Sequence, residues 1–381
     1  MKVVFSALSA YGHIFPMIPF AQAMRDAGHE VLFATAEDFL PVVERAGLRG
    51  VRASEPLQTT VTTIHGVRIA GDDLTPQEML DRAGKVLGDV VPREFVADLA
   101  PVLADVRPDV LVHDPGNPGA GLAAQLAKIP AYNHGFGRAL RGALPDACNG
   151  YLRAYAAELG LDLPDQYPGL LGHPTIDICP PSLQRPDFLA LGQRVELRPV
   201  PYSEPGELPQ FVQQPGRPLV YVTLGTIYST ADMLRRVIRG LARLDVRVLV
   251  ATGPVDPADL GALPESVWAE RWVPQGQLWP YVDVSVHHGG SGAMLGALAS
   301  GVPQLIIPGY ADQPTNARTV QHAGAGLMLT SEEATADVIV QKLDNIMTNE
   351  SFRMAAKRLR SEIEQMPSPA DLAKRFADLV D

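Results

Sequence analysis

The chain has 381 residues, 46% hydrophobic and 20% charged, which is long enough for two domains and too apolar for a disordered protein. With 32 Lys and Arg against 43 Asp and Glu, the formal net charge is −11 and no run of five basic residues occurs, so a nucleic-acid backbone would be repelled. The two cysteines, Cys148 and Cys179, lack metal-type spacing, and no apolar run approaches the ~20 residues that span a bilayer. Unpaired, buried thiols, a cytoplasmic location and no membrane contact are expected.

The opening Met1 to Ala10 has one basic residue and a short apolar run that leads straight into Gly12-His13 and a helical pattern. It reads as a first strand, Val3 to Leu8, and not as a leader. Pro16 to Ala27 carries Ile18, Ala21 and Met24 at helical spacing and stops at Gly28, with proline suited to a first turn and glycine to a left-handed cap. A strand from Glu30 to Thr35, a helix from about Asp38 to Ala46 and a short strand near Gly50 complete a β-α-β alternation, the pattern of a parallel, doubly wound sheet. Residues 54–107 interrupt it as a loop followed by one or two helices, a kind of insertion that often faces ligand. The strand Asp109 to His113, the helix Gly119 to Lys128 and the strand Ile129 to Asn133 restore the rhythm.

From Arg198 to Pro218 the sequence is rich in Pro and Gly and reads as an interdomain linker. A second alternation follows: strand Leu219 to Thr223, helix Ala231 to Arg243, strands Val246 to Thr252, Val267 to Trp272 and Val284 to His288, helix Gly292 to Ser300, strand Gln304 to Pro308 and helix Pro314 to His322. The remainder reads as three short helices. The expected fold class is therefore α/β, with two doubly wound, Rossmann-like domains facing a central cleft at their strand C-terminal ends. The expected division is 1–198, a linker at 199–218, 219–362, and a C-terminal helix at 363–381 packing back on the first domain.

The segment His287-His288-Gly289-Gly290-Ser291-Gly292 stands at a strand end and opens a helix. Backbone N–H groups and the helix N-terminus there suit a phosphate, although the same glycines suit a tight turn without ligand. A dinucleotide fingerprint fits less well, because its third glycine, Gly296, comes one residue late and Asp312 lies beyond the next strand. Adjacent His287 and His288 point to opposite faces, so they cannot share a metal; one belongs to the core and the other can reach a phosphate.

Taken together, Trp272-Val273-Pro274-Gln275, His288-Gly-Gly-Ser-Gly292, Gly301-Val-Pro303, Pro308, Asp312-Gln313 and Asn316-Ala317 resemble the donor-binding signature of family 1, GT-B type glycosyltransferases. Gly12-His13 and Gly225-Thr226 match as well, and the likeness is strongest to bacterial enzymes that attach deoxysugars to antibiotic aglycones. The resemblance implies His13 as general base and Asp114 as its carboxylate partner. It implies Trp272, Val273 and Gln275 at the nucleobase, Gly225, Thr226, His288, Gly290, Ser291 and Gly292 around the diphosphate, and Asp312 and Gln313 on the sugar. Many relatives hold the ribose hydroxyls with a glutamate where this chain has Gly296, a departure that points to dTDP over UDP.

The chemistry agrees with those roles. Sugar transfer to a hydroxyl needs a base, for which an imidazole is suited, and a carboxylate on its far nitrogen fixes the tautomer. Read alone, His13 is a lone loop histidine and Asp114-Pro115-Gly116 an ordinary turn. No Asp-x-Asp cluster sits at a strand end, so no metal and no cofactor beyond the dTDP- or UDP-sugar co-substrate is expected. The family's usual outcome is inversion. Candidate walls of an acceptor pocket are Tyr11, Phe15, His65, Met79, Phe95 and Phe136. The expected partners are a nucleotide-sugar donor and a small hydrophobic aglycone, with a homodimer open as an assembly. Two further classes stay open at this point: a nucleotide-sugar epimerase or isomerase on the same scaffold, and a non-catalytic glycosyltransferase helper protein.

Overall fold

A computed structural model describes residues 1–57, 75–214, 216–225 and 229–380. They form two compact units. Unit 1 comprises Met1–Cys179, Gln184–Arg198 and Pro367–Asp381; unit 2 comprises Pro180–Leu183 and Pro199–Met366.

Unit 1 is built on seven parallel strands, β1 (Lys2–Ser6), β2 (Glu30–Thr35), β3 (Arg49–Arg52), β4 (Val110–His113), β5 (Ala131–His134), β6 (Thr175–Asp177) and β7 (Arg194–Glu196), ordered β3-β2-β1-β4-β5-β6-β7. Its central strands are continuous apolar runs, with Val3, Val4, Phe5, Val110, Leu111 and Val112 buried completely, as helices on both faces of a parallel sheet require. Strand order reverses between β1 and β4, which leaves a crevice at their carboxyl ends.

Four helices of unit 1 matter below: α1 (Tyr11–Ile14), α2 (Ile18–Asp26), α3 (Val91–Val106) and α4 (Pro118–Ala127). In α2 the residues Ile18, Phe20, Ala21 and Met24 form the buried face. In α3 the buried stripe is Phe95, Leu99 and Leu103, at a spacing of four residues, which makes Phe95 core and removes it from the acceptor-wall candidates. The chain ends in unit 1: the helix Pro369–Arg375 starts with a Ser368/Asp371 capping box, and the Phe376 ring meets the Phe20 ring edge-on at 5.2 Å.

Unit 2 has six parallel strands, β8 (Leu219–Thr223), β9 (Arg247–Ala251), β10 (Val267–Glu270), β11 (Val284–His287), β12 (Gln304–Ile306) and β13 (Gly326–Met328), ordered β10-β9-β8-β11-β12-β13. The reversal lies between β8 and β11. Helices α5 (Gln275–Leu278), α6 (Ser291–Ala299) and α7 (Gln313–His322) follow β10, β11 and β12.

Several expectations need correction. The Pro-rich stretch from residue 199 is part of unit 2 and not an open linker. Arg247 donates to the carbonyls of Phe211 at 2.8 Å and Val212 at 3.2 Å, and the Gly276 N–H donates to Ser203 Oγ at 3.0 Å. The returning segment joins unit 1 from Pro367, not from residue 363. Residues 135–197, to which the sequence reading assigns no element, hold a 16-residue helix, Ala143–Glu158, and the strands β6 and β7. The end of the chain contains the helices Ala336–Thr348, Glu350–Gln365, Pro369–Arg375 and Ala377–Val380, one more than expected. Cys179 is buried, but Cys148 is only partly so. Among the described residues no helix is long and apolar enough to cross a membrane.

Candidate active site

At the crevice of unit 1, β1 runs into α1 and delivers His13, while β4 ends directly before Asp114. His13 Nδ1 lies 2.8 Å from Asp114 Oδ1. The carboxylate is fully buried, yet every oxygen is met by a donor: the Leu8 N–H reaches Oδ2 at 2.9 Å and the Gly116 N–H reaches Oδ1 at 2.6 Å. A buried carboxylate so compensated is an acceptor only, so His13 carries its proton on Nδ1 and the Nε2 lone pair is the basic one. The imidazole is 24% exposed, which leaves it accessible to a substrate.

Gly116 completes this arrangement in a way the sequence reading missed. A Cβ there would lie 2.5 Å from His13 Cε1 and 2.8 Å from Asp114 Oδ1, so any side chain would part the pair. Around the dyad, Phe136 meets the His13 ring at 4.9 Å, and Tyr11 packs against Phe15 at 5.0 Å and Phe39 at 4.9 Å. Phe39 was not anticipated; it belongs to a single 3₁₀ turn with no periodic signal. Met79 lies half-buried on the helix Pro76–Lys85. His65 and Thr226 lie outside the described residues.

At the crevice of unit 2, β11 opens through the glycine loop into α6. Gly289 has φ +90° and Gly225, after β8, has φ +91°, a region that favours glycine. His287 shapes this turn: its Nδ1 accepts the Gly289 N–H at 3.0 Å, so its Nε2–H donates to Gln304 Oε1 at 2.6 Å, and burial lowers its pKa to about 3. The ring of His288 turns the other way. Its Nε2 would lie 2.4 Å from a Cβ on Gly290 and 2.9 Å from one on Gly225, so neither position tolerates a side chain, and burial holds its pKa below the usual histidine value. A Cβ on Gly292, by contrast, meets no described residue within 4 Å beyond its chain neighbours and its own helix backbone. The first turn of α6 thus presents N–H groups beside open space, the geometry of an anion site.

Asp312 and Gln313 open α7 and are tied inward. Ser291 Oγ donates to Asp312 Oδ2 at 2.8 Å, and Gln313 Oε1 accepts the N–H groups of Gly309 at 2.9 Å and Tyr310 at 3.2 Å. The buried Asn316 amide donates to Asp312 Oδ2 at 2.7 Å and to the Gly289 carbonyl at 2.9 Å, clamping α7 to the glycine loop. No role was assigned to Asn316 from sequence, although its place one turn after Asp312 is the available signal. Val273 is buried, Gln275 donates to the Tyr221 hydroxyl at 2.7 Å, and Trp272 keeps 40% of its surface exposed.

Two family models, the N-terminal and C-terminal domains of "Erythromycin biosynthesis protein CIII-like", match residues 22–225 and 235–379. The chain belongs to this family. It is a glycosyltransferase. An L-demethylnoviosyl transferase of Streptomyces niveus is 35% identical over 386 residues, covering 99% of this chain and 98% of the relative. The glycosyltransferase SsfS6 of Streptomyces sp. SF2575, solved with thymidine diphosphate, superimposes with a TM-score of 0.81 at 26% identity, covering 99% of both chains. Spinosyn rhamnosyltransferase SpnG, solved with the spinosyn aglycone, gives 0.81 at 25% identity, covering 99% of this chain and 100% of SpnG.

One departure of this glycosyltransferase from the family pattern has a steric cause. A Cβ on Gly296 would lie 2.7 Å from Trp279 Nε1 and 2.9 Å from Cε2, in the middle of a buried indole. The glutamate that the family resemblance implies at this position cannot be added unless Trp279 moves.

Proposed function

We propose that this glycosyltransferase moves a deoxysugar from a dTDP-sugar to a hydroxyl of a small hydrophobic aglycone of antibiotic biosynthesis, with inversion and without a catalytic metal. The observation that carries the reading is the His13–Asp114 pair. In the proposed step the acceptor oxygen attacks the anomeric carbon as the bond from that carbon to the diphosphate oxygen breaks. The acceptor proton passes to His13 Nε2, and Asp114 stabilises the imidazolium that results. Unit 2 receives the departing charge on the loop N–H groups and the N-terminus of α6. Trp272 offers a flat exposed face for the base, and Asp312 and Gln313 are the groups assigned to the sugar.

Thymidine diphosphate in SsfS6 and an aglycone in SpnG support the substrate classes. The test is His13→Ala, assayed with dTDP-deoxysugars and polyketide aglycones, with and without EDTA. Turnover falls about 10² to 10⁴-fold while dTDP affinity in calorimetry is unchanged, EDTA has no effect, and NMR of the wild-type product shows the inverted anomer. Turnover within about threefold of wild type rejects the base.

A further inference from the structure

Asp114 is held from behind as well as from the front. Its backbone carbonyl accepts two hydrogen bonds, from the Asn117 N–H at 3.0 Å and from the Nδ1 of the fully buried His113 at 3.1 Å. His113 Nε2 lies 3.0 Å from His173 Nδ1, and His173 Nε2 lies 3.1 Å from the Gln125 amide nitrogen, which also donates to the Leu171 carbonyl at 3.0 Å. The direction of this chain can be derived from either end. A carbonyl only accepts, so His113 must carry its proton on Nδ1 and offer the lone pair of Nε2. At the other end the Gln125 nitrogen, fixed as a donor by Leu171, requires a bare Nε2 on His173, whose proton then sits on Nδ1 and points at His113. Both derivations give the same pair of neutral tautomers. A second proton on either ring would set two donors against each other, and burial disfavours it as well, lowering the pKa of both rings, that of His173 to about 3.

We propose that His113 and His173 are positioning residues, a one-directional imidazole relay from Gln125 that locks the Asp114 peptide and so aims its carboxylate at His13 Nδ1. This rests on the reading of His13 as base. The relay ends on a carbonyl, so it carries no proton to the dyad. Its effect is orientation: fixing the carbonyl fixes the peptide plane that continues the Asp114 Cα–Cβ direction. The fold keeps space for it, since a Cβ on Gly121 of α4 would lie 2.7 Å from His113 Nε2.

The experiment uses the full chain with ¹⁵N-labelled histidine. In the wild type at pH 7, His113 and His173 are expected as neutral Nδ1–H tautomers; an Nε2–H tautomer or a charged ring at either position overturns the relay without any variant having to fold. For function, His113→Phe lowers kcat about tenfold and reduces the Nδ1–H fraction of His13, while dTDP affinity stays within about twofold. His113→Asn, whose amide can still donate to the Asp114 carbonyl, recovers kcat to within about threefold of wild type. In a His13→Ala background His113→Phe changes the residual rate less than about twofold, because no base remains to be oriented. An equal loss in that background, or equal losses for Phe and Asn, overturns the proposal. A His13→Ala enzyme with wild-type turnover instead refutes the base, and the tautomer spectrum then still reports the relay by itself.

Discussion

The crevices of the two units stand at equivalent places, β1 against β4 and β8 against β11, yet they are furnished in opposite ways. Unit 1 concentrates its chemistry in two side chains, with the Asp114 carboxylate braced by backbone donors. Unit 2 works through backbone and through side chains left out, at Gly225, Gly289, Gly290 and Gly292. On the proposed mechanism, the reactions demanded explain the contrast. A proton must be taken by one lone pair at one point, which needs a rigid, correctly protonated ring. A diphosphate spreads its charge over many oxygens, and dispersed N–H donors beside a helix N-terminus answer that better than a single cation.

The sharpest way to break the contrast is Gly116→Ala, because Gly116 is where unit 1 also depends on a missing side chain. With a methyl group 2.5 Å from His13 Cε1, the imidazole must leave the carboxylate. The rate should fall toward that of a base deletion, about 10² to 10⁴-fold, with dTDP affinity unchanged in calorimetry. A rate within about threefold of wild type would show that the dyad tolerates displacement. The mirror experiment in unit 2 is Gly292→Val. Beyond its chain neighbours and its own helix backbone, no described residue lies within 4 Å of the new Cβ, so folding should survive while the diphosphate loses its space, with dTDP affinity down on the order of 10²-fold. Unchanged affinity would place the nucleotide elsewhere.

The same contrast explains what was legible in the sequence. Side-chain chemistry is more visible than missing side chains: His13 and Asp114 follow apolar strands, but read alone they are a loop histidine and a turn, and it is the family resemblance that implies their pairing. Glycines that matter for what they exclude leave no such mark. Gly116 looks like half of a Pro-Gly turn, and its function appears only when a Cβ is placed against His13. The β-α-β rhythm was most readable where a strand lies in a buried apolar run, as in β2, β8 and β9. It failed over β6, β7 and β13, three residues each, whereas the equally short β12 was legible because Ile307 extends its apolar run. Phe95 was misplaced because an apolar residue in an insertion looks alike whether it faces the core or a ligand. The ties of Asp312 to Ser291 and of Asn316 to Gly289 join α7 to residues 21 and 27 positions earlier in sequence, a long-range fact that local spacing does not encode.

Buried histidines sharpen the comparison through pH. In unit 2 both ring nitrogens of His287 are satisfied. In unit 1 His134 gives Nδ1–H to the Gly135 carbonyl at 2.9 Å, but its buried Nε2 has no partner among the described residues, and burial lowers its pKa to about 4. A histidine depressed in the folded state is neutral there while the unfolded chain, titrating near 6.5, takes up protons first. Its contribution is complete above pH 6.5 and is lost as the pH falls toward 4. Denaturant unfolding at pH 7.5 and 4.5 should therefore show a decline about 2 kcal/mol smaller for His134→Phe than for the wild type, with Phe stacking on Phe20 in place of the imidazole. At neutral pH His134→Phe exchanges the unsatisfied Nε2 for an unpaired Gly135 carbonyl and should change stability little, whereas His287→Phe should destabilise by stranding the Gly289 N–H and Gln304. Parallel pH profiles for the wild type and His134→Phe would exclude this titration as a cause of acid lability.

The smallest expected effect separates the two roles open to Asp312. If it serves the sugar alone, Asp312→Ala weakens the intact dTDP-sugar about 10 to 150-fold and leaves dTDP within about threefold, since dTDP lacks the sugar hydroxyls. The hydrogen bonds argue for a second duty. Asp312 Oδ2 accepts hydrogen bonds from Ser291 Oγ at 2.8 Å and from the Asn316 amide at 2.7 Å, so its removal leaves the Ser291 hydroxyl, at the start of α6, with only the Asn316 amide at 3.1 Å and loosens one side of the clamp on Gly289. The anion-binding turn should then loosen without collapsing, because Asn316 still holds the Gly289 carbonyl at 2.9 Å. We therefore expect dTDP itself to weaken about three- to tenfold, roughly the worth of one lost hydrogen bond, in addition to the larger loss for the sugar nucleotide. Asn316→Ala should reproduce the dTDP loss without the sugar-specific part. If Asp312→Ala leaves dTDP untouched, the clamp is idle in the bound state and the glycine loop holds its shape through His287 and its own φ angles alone.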